Sequence, residues 1–354
     1  MDLILLLKEL SEAEGIAGFE GPIRQLVRQH WEPLVDRIDE DNLGSLIALK
    51  KGVGEEPRPK LMLAAHMDEI GLMVMDIEKG FLRIARVGGM DRRVLLGLEV
   101  TVHGRRDLPG VVATRPPHVL SQEERKKTVP FEKIFVDVGL SEEKVRELVS
   151  VGDLISIRRE MLELKNRRVS GKSLDDRACV AAITLALERL QTIRHHWDVY
   201  AVATAQEETG LKGAMTAAYG VSPDAAIALD ATFGEQPGVP KSDALPLGKG
   251  PSIAVGPNFH PKLVERLKGV AEDREIPYHM DPIPGRSGTD AWAIQVTRDG
   301  VPTALVSVPV RYMHHPVETL ATEDVERAGR LLAAFVADSG PSLLKDLAWE
   351  MDEP

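Results

Sequence analysis

Two adjacent carboxylates, Glu207 and Glu208, sit in Gln206-Glu207-Glu208-Thr209-Gly210, just beyond an apolar run, Val199-Tyr200-Ala201-Val202-Ala203. That run reads as a buried strand. Successive residues of an extended chain point opposite ways, so one carboxylate is free to bind a metal while its neighbour handles a proton. Alone, such a pair is more often a solvated acidic loop. Its company changes the reading. Leu61-Met62-Leu63-Ala64-Ala65 is a second unbroken apolar run, and it ends at His66-Met67-Asp68-Glu69. Ligands of open α/β sheets bind beyond the carboxyl ends of strands. Residues i and i+2 share a face, so Asp68 can accept the second ring N–H of His66 and fix its tautomer. Asp175-Asp176 stands where a helix begins, with Val180, Ile183, Leu187 and Leu190 as its apolar stripe. An ordinary acidic helix start would look the same. Asp230 ends the run Ala225–Leu229, and His314-His315 follows the run Thr303–Pro309. Two imidazoles and several carboxylates suit Zn²⁺, Co²⁺ or Mn²⁺. This many ligands exceed one tetrahedral site. A bridging carboxylate would divide them between two ions, as two-metal hydrolysis requires.

The elements that must position these groups alternate strand and helix. At 354 residues the chain is long for one core, so two domains are expected. Helical stretches within 3–35 break at Gly15-Ile16-Ala17-Gly18, and 36–49 reads as a hairpin. From Ile70 to about Leu164 short strands crowd together, Leu72, Val74 and Asp76 alternating with Met73, Met75 and Ile77 in the first of them. Only Ser141–Val149 looks helical there, with Ser141 as cap. A β-rich block between two α/β segments predicts an inserted domain whose open strand edges favour pairing. Beyond it, helices are expected over Leu211–Tyr219, Pro261–Asp273 and Asp290–Gln295, with Thr322 capping the last one. The net charge, 44 − 55 = −11, argues against nucleic acid as the main partner. No apolar run approaches the length of a membrane span, and no signal peptide is legible. The single cysteine, Cys179, excludes an intrachain disulfide and fits a reducing, cytoplasmic setting.

Seven segments carry a resemblance. They are His66-Met67-Asp68-Glu69-Ile70-Gly71, Val87-Gly88-Gly89, Arg115-Pro116-Pro117-His118, Ser173-Leu174-Asp175-Asp176-Arg177, Gln206-Glu207-Glu208-Thr209-Gly210, Gly288-Thr289-Asp290-Ala291 and Arg311-Tyr312-Met313-His314. Through them the chain resembles the tetrahedral (TET-type) co-catalytic metallo-aminopeptidases. That group contains glutamyl and deblocking aminopeptidases and some members that bear the label endoglucanase. The resemblance implies an α/β fold of zinc-exopeptidase type, a mixed sheet flanked by helices, over residues 1–70 and 166–354. Residues 71–165 would be a small β-rich, barrel- or PDZ-like dimerisation domain. It implies two divalent ions per subunit, Zn²⁺ first, with Co²⁺ or Mn²⁺ as alternatives. His66 and Asp230 would hold one ion, Glu208 and His314 the other, with Asp175 bridging and a cis peptide after it. Glu207 would be the general base for an activated water, and Asp68 would orient His66. Short peptides are the implied substrates, and homodimers would assemble into a hollow dodecamer.

Two positions depart from the family pattern. His315 stands where a small residue is usual and is the alternative to His314 as ligand. Cys179 stands where glycine is common and reads as a small core residue, not a nucleophile. Other functions compete. A metal-dependent deacylase or carboxypeptidase would use the same ligands. Paired carboxylates alone suggest a glycosidase, but that chemistry needs no metal, and 4% aromatic content offers few sugar-stacking surfaces.

Overall fold

The computed structural model describes residues 1–340 and 342–348. Its main sheet has eight strands, in the spatial order Arg37–Glu40, Leu46–Lys50, Asp198–Thr204, Lys60–His66, Ala225–Phe233, Thr303–Val310, Ser252–Val255 and His279–Pro282. The four from Asp198–Thr204 to Thr303–Val310 run parallel, so their carboxyl ends share one edge. Both faces of these strands are covered, and Leu61–His66 and Thr303–Val310 are accordingly buried without a break, not in alternation. The strands part at one place. Lys60–His66 stays paired with Asp198–Thr204 as far as His66↔Thr204, but its pairing with Ala225–Phe233 stops at Ala64↔Ala228. Ala225–Phe233 goes on pairing with Thr303–Val310 to Phe233↔Val310. A crevice opens between His66 and Asp230, and Asp230 lies inside a strand that runs four residues beyond its apolar run.

The helix Leu174–Arg189 packs on this sheet and against the helices Leu3–Glu12 and Thr322–Asp338. Almost all of it from Leu174 to Leu187 is buried, so in place of the expected apolar stripe the helix is buried all round. Alanines 178, 181, 182 and 186 let its neighbours come close. At Gly329 of Thr322–Asp338, a Cβ would stand 2.8 Å from the Ala182 carbonyl oxygen, so only glycine permits that crossing. Thr322 is the first helical residue and caps nothing; its hydroxyl donates to the Arg167 carbonyl.

The intervening segment forms a closed six-stranded barrel, in the order Gly71–Glu78, Phe81–Val87, Ile134–Asp137, Asp107–Thr114, Glu99–His103 and Leu154–Ile157. It has its own core, including Leu72, Val74, Leu82, Val100, Val136 and Ile155. Closure removes the free strand edges, so the edge argument for pairing does not hold. A bulge between Val74 and Asp76 shifts the phase, which turns Ile77 inward and Asp76 outward. A short helix, Gln122–Arg125, escapes a reading for periodicity although Ser121 and Glu124 form its capping box. Among the described residues no helix is long and apolar enough to cross a membrane.

Candidate metal centre

The crevice collects side chains from five separate segments. His66 closes its strand there. Its Nδ1 lies 3.2 Å from the carbonyl oxygen of Asp68 and 3.6 Å from Asp68 Oδ1. Its Nε2 lies 3.3 Å from Asp175 Oδ1 and 3.9 Å from Glu207 Oε2. Asp175 and Asp176 begin the long helix without helical dihedrals (φ −80°, ψ 104° and φ −121°, ψ 24°), and the peptide between them is cis. They are not a helix cap; the Asp175 carboxylate turns into the crevice. Its Oδ2 stands 3.4 Å from His314 Nε2, which is 3.4 Å from Glu208 Oε1. His314 has φ 61° in the loop after Thr303–Val310.

Glu207 and Glu208 do not continue the strand. It ends at Thr204, Gln206 takes φ 55°, and the N–H groups of Gly210 and Leu211 close a turn on the Glu207 carbonyl at 2.9 and 3.0 Å. The alternation expected of an extended chain therefore fails. Ligand atoms of both glutamates and His66 lie within 4.8 Å of one another. Asp68 holds this turn: its two oxygens accept the N–H groups of Glu207 (2.9 Å) and Glu208 (3.1 Å).

Two further groups converge within 4.8 Å, His66 with Asp175 and Asp230, and Asp175 with Glu208 and His314. They share Asp175. Tetrahedral coordination with bonds of 2.0–2.1 Å places ligand atoms about 3.3–3.4 Å apart, and octahedral coordination about 2.9 Å. The separations of 3.3, 3.4 and 3.4 Å match the tetrahedral edge. Asp175 Oδ1 is buried and makes no hydrogen bond, although it faces His66. An acceptor without a donor at that spacing suits a cation.

The electrostatics agree. Burial pushes Glu207 up to about 10, helped by Asp230 and Asp290. Burial and the Asp175 carboxylate push Glu208 up to about 7. Burial, then Asp176, carries Asp230 well above its ordinary range. Hydrogen bonding to Asp175 raises His314 to about 9. Against the effect of burial, His314 and His66 hold Asp175 below the usual carboxylate range. Together these shifts mean that the pocket holds more negative charge than its own groups neutralise. Protons or metal ions must supply the difference, and each metal ion bound releases protons.

A cavity of about 730 Å³ opens over these groups, walled by Phe233, Leu245, Met280 and Ile283. The barrel contributes to it through Gly89, where a Cβ would fall on the His314 ring. His315 turns elsewhere, its Nδ1 meeting the Met313 carbonyl at 2.9 Å, and it joins none of the convergent groups among the described residues. Cys179 is fully buried in the core, and burial pushes its thiol well above the ordinary range. Sequence reasoning missed three roles. Asp176 is fully buried with neither oxygen hydrogen-bonded. Asp290, raised by burial to about 6, accepts from the Thr204 hydroxyl. Glu318 is buried and accepts the main-chain N–H groups of Asp175 and His314. Asp290 at least lay in a segment shared with the family; nothing near Glu318 distinguishes it from a surface glutamate.

The profile of the M42 glutamyl aminopeptidase family matches residues 44–331. The chain is 38% identical over 344 residues to the lysyl aminopeptidase of Pyrococcus furiosus, covering 95% of this chain and 97% of that one. It is similar to the solved TET aminopeptidase of the marine sediment archaeon Thaumarchaeota archaeon SCGC AB-539-E09, with TM-score 0.93, 34% identity, and coverage of 98% and 99%. The TET1 peptidase of Pyrococcus horikoshii, which can assemble into a tetrahedron or a large octahedral shell, superposes with TM-score 0.84 at 33% identity over 96% of this chain and 100% of that one.

Proposed function

The chain belongs to the M42 glutamyl aminopeptidase family and is a metallo-aminopeptidase, and from that premise we propose that it removes N-terminal residues from short peptides at a two-ion centre. One observation carries the reading: two convergent ligand groups that share Asp175. His66 and Asp230 would hold one ion, Glu208 and His314 the other, and Asp175 would serve both. The tetrahedral spacing of the donors favours Zn²⁺, with Co²⁺ or Mn²⁺ as alternatives. When bound, the ions polarise a carbonyl oxygen and make water acidic near neutral pH. Glu207, whose side chain is 10% exposed at the cavity wall, takes the water's proton and passes it to the leaving amine. Asp68 keeps the Glu207-Glu208 turn in place and offers its carbonyl to His66. The apolar wall of Phe233, Leu245, Met280 and Ile283 receives the side chain of the residue removed.

The barrel, within 71–165, is the dimerisation unit of this reading, residues 1–70 and 166–354 form the catalytic domain, and dimers assemble into a dodecamer, by analogy with the tetrahedron of the TET1 peptidase. A buried, unpaired Cys179 fits a cytoplasmic setting. The test is a panel of aminoacyl chromogenic substrates, with N-blocked counterparts, assayed after chelation and after adding back each metal. Hydrolysis of free-amine substrates only, abolished by chelation, is the expected result. Turnover of the blocked substrates, or activity that survives chelation, would refute it.

A further inference from the structure

Glu318 opens the strand Glu318–Ala321, which pairs with Arg168–Gly171 in the register Gly171↔Glu318. This places it beside the segment leading into Asp175. It is 2% exposed, and it belongs to none of the convergent ligand groups among the described residues. Its carboxylate is spent on main chain instead. Oε2 accepts the N–H of Asp175 at 3.0 Å, and Oε1 accepts the N–H of His314 at 2.8 Å. These donors flank the 3.4 Å gap between Asp175 Oδ2 and His314 Nε2.

Neither residue is fixed by regular structure. Asp175 has ψ 104° at a helix start, and His314 has φ 61° in a loop. They reach the site from segments far apart in the chain, and the Glu318 carboxylate joins both. The demand on it is specific: two N–H donors need two acceptor oxygens. A glutamine supplies one acceptor and turns an N–H₂ group toward the other donor. A leucine of similar size would leave both donors unsatisfied in a buried place.

We propose that Glu318 is a positioning residue that presets His314 against Asp175 and so sets the affinity of the Asp175–Glu208–His314 ion site, without touching ion or substrate. This rests on the two-ion reading above. The effect is asymmetric, because Asp175 serves both ions but His314 only the second, and His66 and Asp230 are held by strands that do not depend on Glu318.

The experiment titrates metal-free full-length protein with Co²⁺, wild type beside Glu318→Gln and Glu318→Asp, and follows visible absorption, calorimetric heats and thermal melting. Wild type should bind two equivalents. In Glu318→Gln the first equivalent should bind as in wild type, and the second about 10–100-fold more weakly, the usual loss when a partner of a metal ligand is removed. Its Co²⁺ spectrum should also change. Activity should fall at limiting Co²⁺ and recover in excess. Glu318→Asp, one methylene too short to reach both donors, should not restore the second site. Two equivalents bound by Glu318→Gln with wild-type affinity and spectrum would overturn the proposal. So would equal weakening of both sites, or loss of the melting transition in the metal-free variant, which would make Glu318 a folding residue. A single equivalent in wild type would instead sink the two-ion reading.

Discussion

Glu207→Gln separates proton transfer from everything else the site does. In the metal-free protein burial pushes the Glu207 carboxyl up to about 10, so at neutral pH it carries a proton. Glutamine is close in shape to that protonated acid and equally uncharged. Metal-free Glu207→Gln should therefore melt as wild type does, within the ~0.5 kcal/mol typical of harmless substitutions. None of the ligands assigned to the two ions is removed, so two metal equivalents should remain. What disappears is a base beside the reacting water. General-base catalysis contributes about 10²–10⁴-fold, which is about 2.7–5.4 kcal/mol of barrier. An interaction made only in the transition state lowers kcat and kcat/KM equally, so KM should not move. The assay combines elemental analysis of the dialysed variant, a melting curve, and steady-state kinetics across a range of added Zn²⁺ and Co²⁺. The reasoning fails if kcat stays near normal. It also fails if the only defect is missing metal that added ions repair, in which case Glu207 and Glu208 exchange roles.

Asp175→Asn, which weakens the one ligand shared by both groups, should lose both ions together; elemental analysis that finds both retained would refute the bridge. A stability test follows from pH. Glu208 at about 7 and His314 at about 9 lie above their ordinary 4.5 and 6.5. The stability they give the metal-free protein is full below those ordinary values and is lost as pH rises through 7 and 9. The melting temperature of chelated protein should thus fall from about pH 5 to about pH 9, and metal should restore it most at the alkaline end. Asp175, shifted the other way, acts only in acid near and below its ordinary 3.8. A flat or rising profile by calorimetry would contradict the charge-crowded site. Light scattering should report a mass well above the 38.8 kDa of one chain, and deletion of the barrel should reduce it; a wild-type monomer at micromolar concentration would count against assembly.

Much of this architecture was legible because burial on both faces leaves a plain mark. Leu61–Ala65 and Val199–Ala203 are unbroken apolar runs, Thr303–Pro309 is one interrupted only by Ser307 after its first residue, and each ends near a group with metal or proton chemistry. What stayed hidden depends on main-chain direction. Nothing in Gln206 announces φ 55°, so the two glutamates read as strand neighbours pointing apart, when they converge from a turn. The resemblance supplied the cis peptide after Asp175, but in the residue pattern itself the non-helical start is masked by a strong helix directly after it. Ala225–Phe233 outruns its apolar segment because Thr303–Val310 goes on pairing with it, a fact of the partner strand. Glu318 is the extreme case. Its role is defined by two N–H groups, which every residue but proline possesses, and only the fold says which two it meets.

The proposed ligands lie between positions 66 and 314, on segments that meet only when sheet, long helix and the loop after Thr303–Val310 are all in place. A chain still folding has no pair of sites to offer, so an ion cannot serve as its nucleus. On the two-ion reading, coordination would follow the settling of the topology. Its influence falls on the return journey. To come apart, a native protein so loaded would first surrender ions bound by residues from all of these segments at once. On the two-ion reading the centre would therefore be a brake on unfolding, and starvation for metal would shorten the lifetime of the folded chain without slowing its birth.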